Sequence, residues 1–256
     1  VEIKKVTFSY NRIHDHLRGI SENIEQGKIT TIIGPNGCGK STLLGVISTN
    51  YVPNRGEIVL DGKRLNSYRP KELARRLAIV HQHNEAPYDL TVERLVRYGR
   101  LPYQGLLKSD READEAAVNW ALSCTNLEDK RQFLIGELSG GERQRVWIAL
   151  ALAQKSPFLC LDEPTTYLDI YYQMEVLELI RQLNVRHGLT ILMVLHDINQ
   201  AIRYSDKIIV MRNGEIVASG PPERVITKET VHAVYGVDVA LRKDPEAGLY
   251  IVPVGI

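Results

Sequence analysis

The sequence predicts an α/β fold built around a phosphate-binding loop, with a helical segment inserted into it. Three observations carry this. The β-branched run Ile29-Thr30-Thr31-Ile32-Ile33 leads into Gly34-Pro35-Asn36-Gly37-Cys38-Gly39-Lys40-Ser41-Thr42, and an apolar helical run follows. Phe158-Leu159-Cys160-Leu161 reads as a second buried strand, and it ends in Asp162-Glu163. Between these two, from about Leu90 to Leu127, the pattern turns helical.

The loop at 34–42 fits G-x-x-x-x-G-K-[ST], between a strand and a helix as that motif requires. Its glycines let backbone N–H groups curl around phosphate oxygens. Lys40 is expected to reach the β- and γ-phosphates, and Ser41 to offer its hydroxyl to Mg²⁺. Such a loop needs acidic partners. Asp162 and Glu163 stand at the C-terminal end of a strand, where open α/β sheets bind ligands. Asp162 is expected to hold Mg²⁺ and Glu163 to polarise the attacking water. Phosphoryl transfer to water is mostly positioning and charge stabilisation, so the placement of that carboxylate matters more than its basicity.

Leu138-Ser139-Gly140-Gly141-Glu142-Arg143-Gln144-Arg145 reads as a helix start. Ser139 is a good N-cap, and Glu142 three residues later completes a capping box. Gly140 and Gly141 fill the first turn, where each costs about 1 kcal/mol against Ala. Two bare residues at a helix N-terminus point to a second anion site.

The remaining elements follow in order. Val6, Phe8 and Tyr10 alternate with Thr7 and Ser9 as a strand, a pattern that by itself suits Tyr10 to a core ring. The strand-like pattern starts at Val1, so a few residues are expected ahead of it. Gly56–Leu60 runs into Asp61-Gly62, a hairpin signal. Leu77–Val80 is another strand. Thr91-Val92-Glu93 opens one helical segment and Ser109-Asp110 another. Residues from Tyr98 to Lys108 read as a connection between them. Residues 171–187 form an amphipathic helix with Val176, Leu179, Ile180 and Leu183 on one face, ended by Gly188. Thr190–Leu195 is a buried strand, and Ile208–Ala218 a hairpin turning at Asn213-Gly214. From Pro221 onward the chain reads as short helices and a final strand.

Composition narrows the function classes. The chain has 256 residues with 32 basic and 31 acidic side chains. A near-neutral balance argues against general nucleic-acid binding. Cys38, Cys124 and Cys160 make no disulfide framework, which fits a reducing compartment. Val146 to Ala153 is among the longest apolar runs, far short of a membrane span. No signal peptide is visible. His81 and His83 form a His-x-His without further ligands and read as solvated loop residues.

Taken together, these motifs closely resemble the ATP-binding cassette (ABC) ATPases, over nearly the whole chain and in that family's order. After the phosphate loop come Gln82 in the place of the glutamine loop, Leu138–Arg145 as the signature, and Asp162-Glu163. Tyr167-Leu168-Asp169 follows as the aspartate loop, and His196 as the switch histidine. The resemblance implies a P-loop NTPase core (a RecA-like sheet with flanking helices), an antiparallel β subdomain and an inserted helical subdomain. Residues 1–85 and 155–220 would form the nucleotide-binding core, 86–154 the helical subdomain and 221–256 a C-terminal tail of one domain. It implies ATP and Mg²⁺ as ligands. Two copies of the chain would sandwich two ATP molecules head to tail. In that dimer Ser139, Gly140, Gly141 and Glu142 would bind the γ-phosphate held by the other copy. Glu163 would activate water, His196 would contact the γ-phosphate, and Gln82 would touch Mg²⁺ and water. Asp169 would organise the interface, and Tyr10 would stack on adenine.

Tyr167 in the aspartate loop, Tyr98-Gly99-Arg100-Leu101-Pro102 and Val194–Ala201 resemble the ferric-siderophore importers within that family. Haem and cobalamin importers are the near alternatives. The resemblance implies polytopic permease partners, an extracytoplasmic iron-chelate binding protein, no nucleic acid, and a peripheral position on the cytoplasmic face of the inner membrane. A soluble ABC ATPase of DNA maintenance would carry a long coiled-coil insertion, and no sustained heptads appear. An unrelated P-loop kinase would lack Leu138–Arg145 and would need an acceptor site.

Overall fold

The computed structural model describes residues 1–11, 13–105, 110–246 and 248–256. In chain order the elements are β1 (Glu2–Phe8), β2 (Leu17–Asn23), β3 (Ile29–Ile33), α1 (Lys40–Ile47), β4 (Arg55–Leu60), β5 (Lys63–Arg64), α2 (Pro70–Ala74) and β6 (Leu77–Val80). Then come α3 (Val92–Arg97), α4 (Arg111–Cys124), α5 (Gly140–Ala153), β7 (Phe158–Asp162) and α6 (Ile170–His187). The chain closes with β8 (Thr190–Val194), α7 (Ile198–Tyr204), β9 (Lys207–Arg212), β10 (Glu215–Gly220), α8 (Pro222–Val225), α9 (Lys228–Tyr235), β11 (Asp238–Asp244) and β12 (Gly248–Gly255). The chain divides into two compact units, Val1–Ser67 with Thr190–Ile256, and Tyr68–Leu189.

In the first unit, strands run in the order β10-β9-β3-β8, with β3 parallel to both β8 and β9. All five residues of β3 and of β8 are buried, which is why both read as unbroken apolar or β-branched runs. A second sheet, β2-β1-β4-β5, is antiparallel. Asp61 and Gly62 both have positive φ (49° and 75°), as a two-residue hairpin turn between β4 and β5 requires. The Asn213-Gly214 hairpin between β9 and β10 is built the same way.

In the second unit, β6 and β7 pair in parallel, Leu77 opposite Phe158 and Val80 opposite Leu161. The helices α3, α4 and α5 pack together around the fully buried Val96, Val118, Leu122 and Ile148. Polar side chains fasten this packing. Arg100, only 5% exposed, donates to Asp114 Oδ1 of α4 and to the Ala153 carbonyl of α5, both at 2.8 Å. Its guanidinium lies 3.8 Å from the Tyr103 ring centroid. A buried arginine needs such full pairing, since leaving it uncompensated would cost several kcal/mol. Arg97 and Arg131 bridge Glu93 of α3 and Glu115 of α4, and these arginines hold the Glu93 carboxyl at a pKa of about 2.

Two expectations change. The span from Tyr98 is not simply a connection: Tyr98–Tyr103 is a 3₁₀ helix. Lys108 and Ser109 lie outside the described residues, and Asp110 caps α4 by accepting from the Ala113 N–H at 3.0 Å. The C-terminal stretch ends in a hairpin, β11 with β12, rather than in one strand. β11 was illegible because Val239 is its only buried residue and Asp238, Arg242, Lys243 and Asp244 hide any alternation. Among the described residues no helix is long and apolar enough to cross a membrane.

Candidate active site: two half-sites

The first unit carries the phosphate loop. β3 ends at Ile33 and the chain turns through Gly34 (φ 153°), Gly37 (φ 75°) and Gly39 (φ 105°) into α1. These φ values are open to glycine and strained for other residues. A Cβ on Gly34 would stand 2.3 Å from the Met211 carbonyl oxygen, so the loop rests on β9. The Gly214 N–H donates to the Cys38 carbonyl at 3.0 Å and fixes the loop from the same side. Lys40 opens α1, is 5% exposed, and donates to the carbonyls of Gly34 (2.9 Å) and Pro35 (3.1 Å). Its ammonium is thereby held over the loop's hollow. Helix α1 has no side-chain cap and no acid in its first turn, so its N-terminal dipole favours an anion. Burial pushes the Cys38 thiol up from its ordinary value, which leaves it inert beside the loop.

Tyr10 lies two residues past the end of β1. Val6 and Phe8 are buried while Tyr10 is 53% exposed, so it does not continue the core alternation. Its ring is held edge-on by Phe8, His16 and Tyr51 at 4.7–5.2 Å between centroids. Its hydroxyl is 3.2 Å from Thr42 Oγ1 of α1. A fixed, exposed ring tied to the phosphate loop is a platform for a flat ligand. His196 follows β8 and is exposed. Helix α7 is capped by Asp197, which accepts from the Gln200 N–H at 2.8 Å, so His196 is not a capping residue.

The second unit carries the carboxylates. β7 delivers Asp162 at its end, half-buried, and Glu163 just beyond it, 9% exposed. Glu163 has φ 50°, a conformation uncommon for a non-glycine residue. Its Oε2 accepts from Gln82 Nε2 at 2.5 Å and from Thr166 Oγ1 at 3.2 Å. Gln82 and Glu163, 81 positions apart, therefore meet directly. No motif in the sequence marks Thr166, though a hydroxyl three residues past a turning acid is a recurrent local hydrogen-bond spacing.

Ser139 caps α5 as expected: its Oγ accepts from the Glu142 N–H at 3.3 Å, and its N–H donates to Glu142 Oε2 at 2.8 Å. Lys130 pairs with the Glu142 carboxylate, and with the Ser139 hydrogen bonds it holds the Glu142 pKa at about 2. The two glycines differ. Gly140 is exposed, and a Cβ there would meet only Leu168 at 3.7 Å. Gly141 is buried, and a Cβ there would stand 2.4 Å from the Tyr172 ring. Gly141 is thus required by packing against α6, which the sequence had no way to signal. Asp169 caps α6 by accepting from the Tyr172 N–H at 3.2 Å. Tyr167 is 84% exposed, and His83 stacks against it at 6.2 Å. His81 is half-buried, His83 is exposed, and among the described residues no cluster of three or more acidic, histidine or cysteine side chains could hold a metal.

A family model described as ABC transporter matches residues 17–166, which includes the phosphate loop, Gln82, the α5 start and Asp162-Glu163. The chain belongs to the ABC transporter family. It is an ATPase of that family, built as a P-loop NTPase. It is 42% identical to a petrobactin import ATP-binding protein of Bacillus anthracis, over 96% of this chain and 90% of that one. It is 42% identical to the ferric enterobactin transport ATP-binding protein of Escherichia coli, over 98% and 93%. Among solved structures, it is similar to a putative metal-chelate type ABC transporter in an inward-facing conformation, with a TM-score of 0.85 at 25% identity, over 99% of this chain and 96% of that one. It is similar also to a dimeric bacterial ABC transporter cassette, MJ0796, with a TM-score of 0.74 at 30% identity, over 86% and 98%. Cassettes of ABC importers act as dimers with membrane permease subunits.

Proposed function

We propose that this chain is the ATP-hydrolysing, energy-coupling subunit of a ferric-siderophore importer. What carries this reading is the likeness, 42–44% identical over most of the chain, to ATP-binding proteins named for petrobactin, ferric enterobactin or iron(3+)-hydroxamate import or transport. The site supports the hydrolytic part. Lys40 would orient the β- and γ-phosphates over α1, and Tyr10 would hold the adenine against its exposed face. Ser41, Gln82 and Asp162 offer hydroxyl, amide and carboxylate oxygens, the hard donors that suit Mg²⁺. Bound there, Mg²⁺ would offset phosphate charge. Glu163, oriented by Gln82 and Thr166, would align the attacking water and take its proton. His196 would contact the γ-phosphate.

Ser139 and the exposed Gly140 of one copy would complete the γ-phosphate site of a second copy, with Asp169 at the interface. ATP would then favour the closed dimer through its differential affinity for the two arrangements. Closure would move permease segments docked near Gln82 and the helical segment 86–154. The chain would act at the cytoplasmic face of the inner membrane, and an extracytoplasmic iron-chelate binding protein would deliver cargo to the permease.

The test is uptake of ⁵⁵Fe-loaded siderophores by cells lacking this chain. The expected result is lost uptake that wild type restores and Glu163→Gln does not. Purified Glu163→Gln should turn over ATP at least about a hundred-fold more slowly while still forming an ATP-dependent dimer. Unchanged iron uptake with lost haem or cobalamin uptake would transfer the assignment to those cargoes.

A further inference from the structure

The C-terminal segment from Pro222 to Gly255 touches the first half-site at two points. At one, Asn199 of α7 treats β12 as a strand partner. Its Nδ2 donates to the Ile251 carbonyl at 3.2 Å, and its Oδ1 accepts from the Ile251 N–H at 2.8 Å. One side chain thus satisfies both backbone groups of one residue, and Ile251 is the most buried position of β12. Asn199 stands three residues after His196 and two after Asp197, the cap that fixes where α7 begins.

At the other point, the last residue of α9 reaches the phosphate loop. The Tyr235 hydroxyl is buried, with the Gly34 backbone and Cys38 close enough to act on it. Burial raises this phenol's pKa, so it stays protonated. α9 is joined firmly to the hairpin. Gly236 (φ 69°) ends the helix, and His232 Nδ1 lies 2.8 Å from Asp238 Oδ1 at the start of β11.

We propose that residues 222–255 form a positioning arm for hydrolysis, in which the Asn199–Ile251 clamp sets the place of His196 and Tyr235 braces the phosphate loop at Gly34. This rests on His196 acting at the γ-phosphate. Asn199 and Tyr235 are positioning residues: neither needs to touch nucleotide. A clamp at the start of α7 limits rotation of the helix, and with it the reach of the side chain that precedes it. Small displacements of such groups are costly to rate, because hydrolysis here depends on geometry. The arm also gives a handle by which a partner that pulls on the hairpin could slow hydrolysis without entering the site.

The test uses the full chain with Asn199→Ala, Asn199→Asp and Tyr235→Phe, read by ATPase kinetics, amide hydrogen exchange and ¹⁵N-histidine NMR. Asn199→Ala should speed exchange at Ile251 at least about ten-fold, shift the His196 ring signals, and lower kcat about ten-fold with KM for ATP nearly unchanged, as expected for two lost hydrogen bonds acting through position. Asn199→Asp keeps the acceptor for the Ile251 N–H and should recover part of kcat. Tyr235→Phe should raise KM more than it lowers kcat. The proposal is overturned if Asn199→Ala loosens the hairpin while kcat and the His196 signals stay at wild-type values, or if it leaves Ile251 exchange unchanged. His196→Ala separates the two levels: wild-type turnover in that variant removes the role given to His196, and the arm's purpose with it. Loss of turnover in His196→Ala beside full activity in Asn199→Ala removes the arm alone.

Discussion

The phosphate loop and the start of α5 look alike in sequence, yet their glycines answer to different forces. Both are glycine-bearing helix N-termini. At the loop, Gly34, Gly37 and Gly39 hold positive φ, α1 has no side-chain cap, and its first turn carries no acid. At α5, neither glycine has positive φ, Ser139 caps the helix, and Glu142 sits in the first turn. The first helix end is left open to an anion. The second is already satisfied by its own capping box and by Lys130, so any phosphate it receives has to approach the Ser139 side chain and the exposed Gly140. Bareness at a helix end is therefore ambiguous: it reports a backbone shape in one case and a neighbouring ring in the other.

The contrast can be broken or sharpened by substitution. The largest effect is expected for Lys40→Ala, which removes both the staple across the loop and the ammonium charge it holds there. ATP affinity measured by calorimetry should fall about a hundred-fold, given that hydrogen bonds to charged groups are worth about 1.5–3 kcal/mol each. Affinity within a factor of a few of wild type would deny the loop its role. Next is Gly141→Ala, where a methyl would press into the Tyr172 ring. Chemical denaturation should show a loss of about 1–3 kcal/mol, largely recovered when Tyr172 is also made Leu. Equal stability would mean that the ring moves freely.

A smaller effect is expected from acid. The folded-state pKa of Glu142 is depressed to about 2 from 4.5. Its contribution is therefore complete above about pH 4.5 and is lost as pH falls toward 2. Melting followed from pH 5 to 2.5 should show a decline of which Glu142 accounts for about 1 kcal/mol after discounting for screening of the partly exposed pair, and Lys130→Met should remove that share while leaving the share of Glu93. The smallest effect on stability belongs to Gly140→Ala. With open space around it, this change should leave stability within about 0.5 kcal/mol of wild type or raise it slightly. Its consequence should appear instead in ATP-driven dimer formation.

Legibility followed the same division. The loop, the acidic strand end and the capping box were readable because each is local: strand, turn and helix start lie within about ten residues. The Gln82–Glu163 hydrogen bond was foreshadowed only as two separate motifs, since nothing in the chain announces a contact across 81 positions. Tyr172 against Gly141, Lys130 on Glu142 and Asn199 on Ile251 were unreadable for that reason too. The alternation with Val6 and Phe8 alone would have put Tyr10 in the core, but β1 stops at Phe8 and the ring turns outward. β11 was missed because its charged residues leave a single buried side chain to reveal it.

One contact bears on how the protein is made. The phosphate loop occupies residues 34–42, yet it leans on Met211 and is hydrogen-bonded by Gly214. A ribosome adds about 5–20 residues each second, so the loop emerges on the order of ten seconds or more before its support. During that interval the nascent chain carries the most recognisable nucleotide motif it will ever have and lacks the backing that shapes it. Chains stalled before residue 211 should display the motif without the affinity, so competence for ATP arrives only once β9 and its turn into β10 have been made.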